Sequence, residues 1–175
     1  MKQTVIISGF PGVGKSHYFN RCKHIENMCL DSDSSDFSWI KDENGNNTKE
    51  RNPDFPKNYI EHIKSNIGKV DVIFVSSHKV VREALEKEGL NYYLVYPKRE
   101  DKAEYIRRYR RRGNDENFIQ FISANWDEFI TDMENETFPF KRELPTRKFL
   151  SPIEVNNIRE IDSCKKDDNT NEEYL

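Results

Sequence analysis

Residues 4–19 read TVIISGFPGVGKSHYF, an apolar run that meets Gly9-x-x-x-x-Gly14-Lys15-Ser16 and continues into a helix-compatible stretch. A strand, a glycine loop ending in Lys-Ser and a helix, in that order, are the setting of a Walker A phosphate-binding loop. The residue types follow from the task. Glycines let the backbone curl until its N–H groups face phosphate oxygens, and the helix that follows adds its positive N-terminal end. Gly9, Pro11, Gly12, Val13 and Gly14 would supply that backbone. Lys15 would reach the β and γ phosphates of ATP, Ser16 would ligate Mg²⁺, and His17 would open the helix beside them.

The rest of the chain bounds what such a loop can serve. At 175 residues, one domain of ordinary size with a real core is expected, over residues 1–162. A net charge of −3 gives no global basic footprint for wrapping a long nucleic acid, although a local basic patch remains open. No apolar run approaches a membrane span and the N-terminal strand does not resemble a secretory signal, so a cytoplasmic protein is expected. Cys22, Cys29 and Cys164 lack CxxC spacing, which points to reduced thiols and not to a disulfide frame or zinc site.

Short apolar strands alternate with amphipathic helices along the chain, the rhythm of an α/β fold. Strands are predicted at Thr4–Ser8, Met28–Leu30, Val70–Ser76 and Tyr92–Tyr96, with a last one near Arg147–Leu150. Helices are predicted from Lys15 to about Cys22, over Pro56–Ile67, around Val80–Leu85 ahead of Gly89, and over Asp115–Met133 through Phe118, Ile122, Trp126, Phe129 and Met133. The second strand delivers the chain to an acidic cluster, DSDSSD, at 31–36. A polar excursion over Phe37–Pro56 carries turn formers and reads as a long functional loop. Residues 98–114 form a helix bearing Arg107, Arg108, Arg110, Arg111 and Arg112, stopped by Gly113. A short helix capped by Ser151 and a polar, flexible tail over 163–175 end the chain.

With a Walker loop, acids after the second strand and an arginine helix after the fourth, residues 1–133 resemble the small P-loop kinases. These are the nucleoside and nucleotide monophosphate kinases and their relatives, including the kinase domain of phage polynucleotide kinase. The resemblance implies a three-layer α/β/α P-loop NTPase fold with a mainly parallel sheet, an acceptor-facing acid after strand two, and a mobile arginine lid over ATP at about 98–114. In the polynucleotide-kinase-like register that acid falls on Asp33. Asp31 lies two residues earlier, and in an extended segment the two carboxylates point the same way.

Chemistry offers the aspartates two jobs. A hydroxyl acceptor needs a group to take or orient its proton, whereas a phosphate acceptor leaves Asp31 and Asp33 to hold water-bound Mg²⁺ or a sugar. A solvated turn capped by Ser34 and Ser35 is the plainer alternative. Arginines suit a migrating phosphoryl group because their planar donors match its oxygens. Arg107 and Arg111 share one helix face and are the first choice for catalysis; Arg108 and Arg112 share another, and Arg108 is taken as an ATP contact. For the acceptor, Phe37, Trp39 and Arg51 of the excursion offer aromatic planes beside a cation, and Arg82 offers a second phosphate clamp.

Departures from the family are equally plain. Strand three ends in VSSHKVV without a Walker B aspartate, Asp71 lies at its opposite end, the Asp-Gly-x-Pro-Arg segment is absent, and position 36 is Asp where phage polynucleotide kinase has arginine. Three functions stay open. They are a kinase acting on a small nucleoside or nucleotide, a kinase for a polynucleotide 5′-hydroxyl or other small hydroxyl compound, and an NTP-hydrolysing or nucleotide-binding regulatory module.

Overall fold

The segment Val5–Gly9 is buried at every position and forms β1. Only apolar residues and one small serine could occupy a strand covered on both faces. The glycine loop follows, and α1 (Lys15–Cys22) leads to β2 (Cys29–Asp31). After the acidic turn come α2 (Ser35–Ser38), β3 (Trp39–Lys41), β4 (Asn47–Arg51) and α3 (Lys57–Asn66). The remaining order is β5 (Val72–Ser76), α4 (Lys79–Lys87), β6 (Tyr93–Pro97), a 3₁₀ turn at Arg99–Asp101, α5 (Lys102–Arg112), α6 (Glu116–Ala124), α7 (Trp126–Asn135), β7 (Phe140–Leu144) and α8 (Pro152–Thr170). The computed structural model describes residues 3–137 and 140–170, with side chains up to 162.

Strands β2-β5-β1-β6-β7 make one five-stranded sheet in which every pairing is parallel. Helices cover both sides, giving the expected α/β fold. Parallel pairing puts all the strand C-termini along one edge, and ligands of open α/β sheets bind beyond that edge. β1 is central, with Gly9 registered against Ser76 of β5 and Val95 of β6. The glycine loop therefore emerges between two strand ends. Asp31 ends β2 opposite Phe74, which brings the acidic turn to the same edge.

Four expectations change. The polar excursion is a two-stranded antiparallel hairpin, β3–β4, turned at Asp42, whose Oδ1 accepts from Asn44 N (2.9 Å) and Asn46 N (2.8 Å). Its residues are largely exposed on both faces, so no apolar alternation announces it. The last strand is Phe140–Leu144 and not Arg147–Leu150. As a sheet edge it buries only Leu144, and its exposed Lys141, Arg142 and Glu143 hide it from a hydrophobicity reading. The long helix over 115–133 breaks at Asn125, where backbone N–H and side-chain Nδ2 both donate to the Phe121 carbonyl (3.2 and 2.8 Å). Finally, α8 is capped as expected, by reciprocal bonds between Ser151 and Glu154, but it runs on to Thr170. Helix thus replaces the first part of the expected flexible tail; residues 171–175 lie outside those described.

Candidate phosphate site and its acidic neighbour

The loop is built so that its carbonyls are tied from outside. Pro11 O accepts from the Tyr109 hydroxyl (2.8 Å), Gly12 O from Arg108 Nη1 (3.2 Å), and Val13 O from Leu150 N (2.7 Å). With three successive carbonyls held outward, the intervening N–H groups are left to the concave side. Among the described residues, Gly12, Gly14, Lys15 and Ser16 donate to no backbone carbonyl. Gly12 (φ 85°) and Gly14 (φ 109°) need glycine twice over. Their backbone is left-handed, and a Cβ on Gly12 would stand 3.0 Å from Tyr109, one on Gly14 3.1 Å from Phe149.

Lys15 Nζ donates to Gly9 O and lies 3.5 Å from Phe10 O, so the ammonium sits over the mouth of the loop. Burial lowers its pKa to about 8; Asp31 and Asp33 oppose the shift and Arg112 adds to it. Those four charges therefore share one neighbourhood. Ser16 and His17 are exposed on the first turn of α1. The His17 ring lies 6.2 Å from Phe149, and both border a hollow that Arg21 and Pro152 complete.

Asp33 serves the acidic turn and remains available. Its Oδ1 accepts from Ser35 N (2.9 Å), whereas Oδ2 has no hydrogen bond among the described residues. Asp36 is outside this group, pairing with Lys41 at 3.3 Å. His78, at the N-terminus of α4, feels Lys15, Arg51, Asp33 and Arg82; burial is the largest cause of its lowered pKa, Lys15 and Arg51 add to it, and Asp33 opposes it. Arg51 thereby belongs to the same electrostatic neighbourhood. It stacks 3.9 Å over Trp39 and forms no ion pair among the described residues. Phe37 is half-buried and packs on Tyr59 (5.1 Å) and His62 (4.7 Å), joining α2 to α3.

Two arginine assignments are corrected. Arg82, expected as a phosphate clamp, is buried at 3% side-chain exposure between Asp132 of α7 and Glu136 just past its end, with Nη1 donating to Ser77 O. Its charge is spent on the fold. Arg108, expected on ATP, is equally buried: it pairs with Glu104, donates to Gly12 O and Lys148 O, and lies between the rings of Tyr105 and Phe149. The arginine helix consequently packs as a wall of the glycine loop, with Tyr105 and Tyr109 fully buried.

Of the other arginines, Arg107 is exposed and paired with Glu104 (2.8 Å) and Arg110 reaches Glu116 (3.7 Å). Arg111 is exposed with no ion pair among the described residues. Arg112 alone of the helix is felt at Lys15. Its phase was readable, since it shares a face with Arg108, but which face meets the loop was not. Tyr59, Tyr109, Phe149 and Leu150 also escaped sequence reasoning, because nothing local tells a core tyrosine from one that grips a loop.

The donor set suits Mg²⁺. No cluster of three or more His, Cys, Asp or Glu that could cage a metal occurs among the described residues. Mg²⁺ bound with a nucleotide needs only one or two protein oxygens, the phosphates and water completing its shell. Ser16, Asp31 and Asp33 supply such oxygens.

No protein-family model and no curated protein matches the chain. Among solved structures, the tunicamycin resistance protein of Deinococcus radiodurans superposes with a TM-score of 0.52 over 90% of this chain and 94% of that one, at 13% identity. The likeness shows the fold alone: a mainly parallel five-stranded α/β sheet with helices on both sides. No helix of the described residues is long and apolar enough to cross a membrane.

Proposed function

We propose that this protein is a kinase that moves the γ-phosphoryl group of ATP to a hydroxyl of a small nucleoside or nucleotide. The observation that carries the reading is the convergence on Lys15 of the glycine loop, two carboxylates and Arg112. A binding module needs the loop but gives no reason for carboxylates facing it. Transfer uses both. The loop N–H groups and Lys15 hold the phosphates, and the nucleoside end rests in the hollow beside His17 and Phe149. Asp33 receives the acceptor proton as its oxygen bonds to γ-phosphorus, the bond to the β–γ bridging oxygen breaks, and ADP leaves. Arg112 neutralises charge on the equatorial oxygens. Ser16, with Asp33 or Asp31, would hold Mg²⁺, which would supply positive charge to offset that of the phosphates.

Acceptor recognition falls to the Arg51–Trp39 pair, a cation with no ion pair among the described residues stacked on an aromatic plane, which suits a base with a phosphate attached. The hairpin's exposure also admits an oligonucleotide with a 5′-hydroxyl. A labelled-ATP transfer assay against nucleosides, mononucleotides and 5′-hydroxyl oligothymidylate separates these acceptors. ATP hydrolysis without label on any acceptor would sink the kinase reading.

A further inference from the structure

The two halves of the site meet through one buried phenol. Tyr59, on α3, is fully buried, and its hydroxyl donates to Ser32 O at 2.6 Å. The same oxygen accepts from Ser76 N at 3.3 Å. Ser32 lies between Asp31 and Asp33, so the carbonyl being held is that of the peptide leading directly into Asp33. Ser76 is the last residue of β5, registered against Gly9, and its carbonyl accepts from Ser8 Oγ at 3.1 Å. A continuous run of bonds thus links the first glycine of the phosphate loop to the peptide that orients the acid.

Other contacts do not duplicate this link. Ser32 N donates to Phe74 O (2.9 Å), which fixes the turn to β5 on one side only. The Tyr59 hydroxyl supplies the other side and spans both strand ends. Burial pushes its pKa up to about 12, so it remains a donor across the neutral range. Its ring is held independently by Phe37 and by Phe55, which stacks at 6.1 Å and 27°.

We propose that Tyr59 is a positioning residue for phosphoryl transfer, setting the distance between the Asp33 carboxylate and the phosphate loop through its bonds to Ser32 and Ser76. This rests on the kinase reading above. A carboxylate displaced by a fraction of an ångström to an ångström no longer meets the acceptor hydroxyl as the new bond forms, and rates respond steeply to such displacements.

Tyr59→Phe keeps the ring and removes only the bonds. Measured with whichever nucleoside, mononucleotide or oligothymidylate the wild type phosphorylates fastest, it should lower kcat by about ten- to hundredfold with ATP affinity unchanged. Asp33→Asn alone should lower kcat by about a hundredfold or more, and adding Tyr59→Phe to it should lower kcat no further, because the phenol acts through that carboxylate. Amide exchange should quicken at Ser76 while the interior amides of β5 stay protected. Additive losses, an unchanged kcat, or a parallel loss of fold and ATP affinity would each make Tyr59 a core residue only and overturn the proposal. A wild type that labels no acceptor overturns the kinase reading and this one with it; wild-type transfer with undiminished Tyr59→Phe turnover overturns this one alone.

Discussion

The phosphate loop and the β3–β4 hairpin lie at the same edge of the sheet and are supported in opposite ways. Three successive carbonyls of the loop, those of Pro11, Gly12 and Val13, are gripped from outside by distant residues: Tyr109 and Arg108 from α5, Leu150 from the segment after β7. The hairpin is held mostly by itself. Asp42 ties its turn, Asn52 N closes its base on Ser38 O (3.1 Å), and Asn58 Nδ2 of α3 donates to Phe37 O (3.0 Å) just ahead of it. A loop that must offer several N–H groups at once to a polyanion has to be organised before the ligand arrives, since ordering it afterwards would cost affinity. The hairpin, proposed above as the acceptor surface, can adapt.

The largest test of that contrast is Lys15→Ala, which should lower transfer by about 10²–10³ at unchanged fold, the scale of removing one charge-stabilising donor from a transition state. Circular dichroism with steady-state kinetics reads both halves of the expectation; normal turnover would remove the loop from the chemistry. Next comes a paired comparison on α5. Arg108→Ala strips ties from Gly12 O and Lys148 O and leaves Glu104 without its buried partner, so denaturant unfolding should show a loss of about 3 kcal/mol. Arg112→Ala, from an exposed side chain, should leave unfolding unchanged and lower kcat. Equal stability losses in the two variants would erase the distinction between wall and site.

A third test uses protons. The Lys15 ammonium is charged below its pKa of about 8 and neutral above it, and bound phosphates favour the charged form. ATP affinity should hold steady from pH 6 to 7.5 and then fall by up to about tenfold per pH unit. Fluorescence titration of a nucleotide analogue across pH 7–10 measures the slope, and a flat profile would take Lys15 off the phosphates. The smallest effect belongs to the hairpin: Trp39→Ala should raise the acceptor KM about fivefold, the worth of one exposed cation–π and stacking contact, with ATP affinity unaltered. A matching loss of ATP affinity would mean that the two regions are not independent.

What could be read from the sequence follows the same division. Gly9–Ser16 and the apolar strands were legible because each is a local pattern: glycine spacing, buried runs, helix stops. Strand β7 was not, since an edge strand needs no apolar face. The fates of the arginines were hidden for a different reason. Arg82 and Arg112 look alike in composition, and only the arrival of Asp132 on α7 and Glu136 just past its end separates a buried structural cation from an exposed one. Asp33 was singled out by register and its charge is felt at Lys15, yet the phenol that holds its peptide comes from a helix whose sequence shows only ordinary core spacing.

The bond from Leu150 N to Val13 O also bears on the order in which the protein is made. The Gly9–Ser16 signature leaves the ribosome before α5 and Leu150, the residues that hold its carbonyls outward. During synthesis the nascent chain carries an unsupported glycine loop until α5 and the segment after β7 have both emerged and docked. Competence to hold a nucleotide is in this sense a reading of whether the far end of the fold is in place.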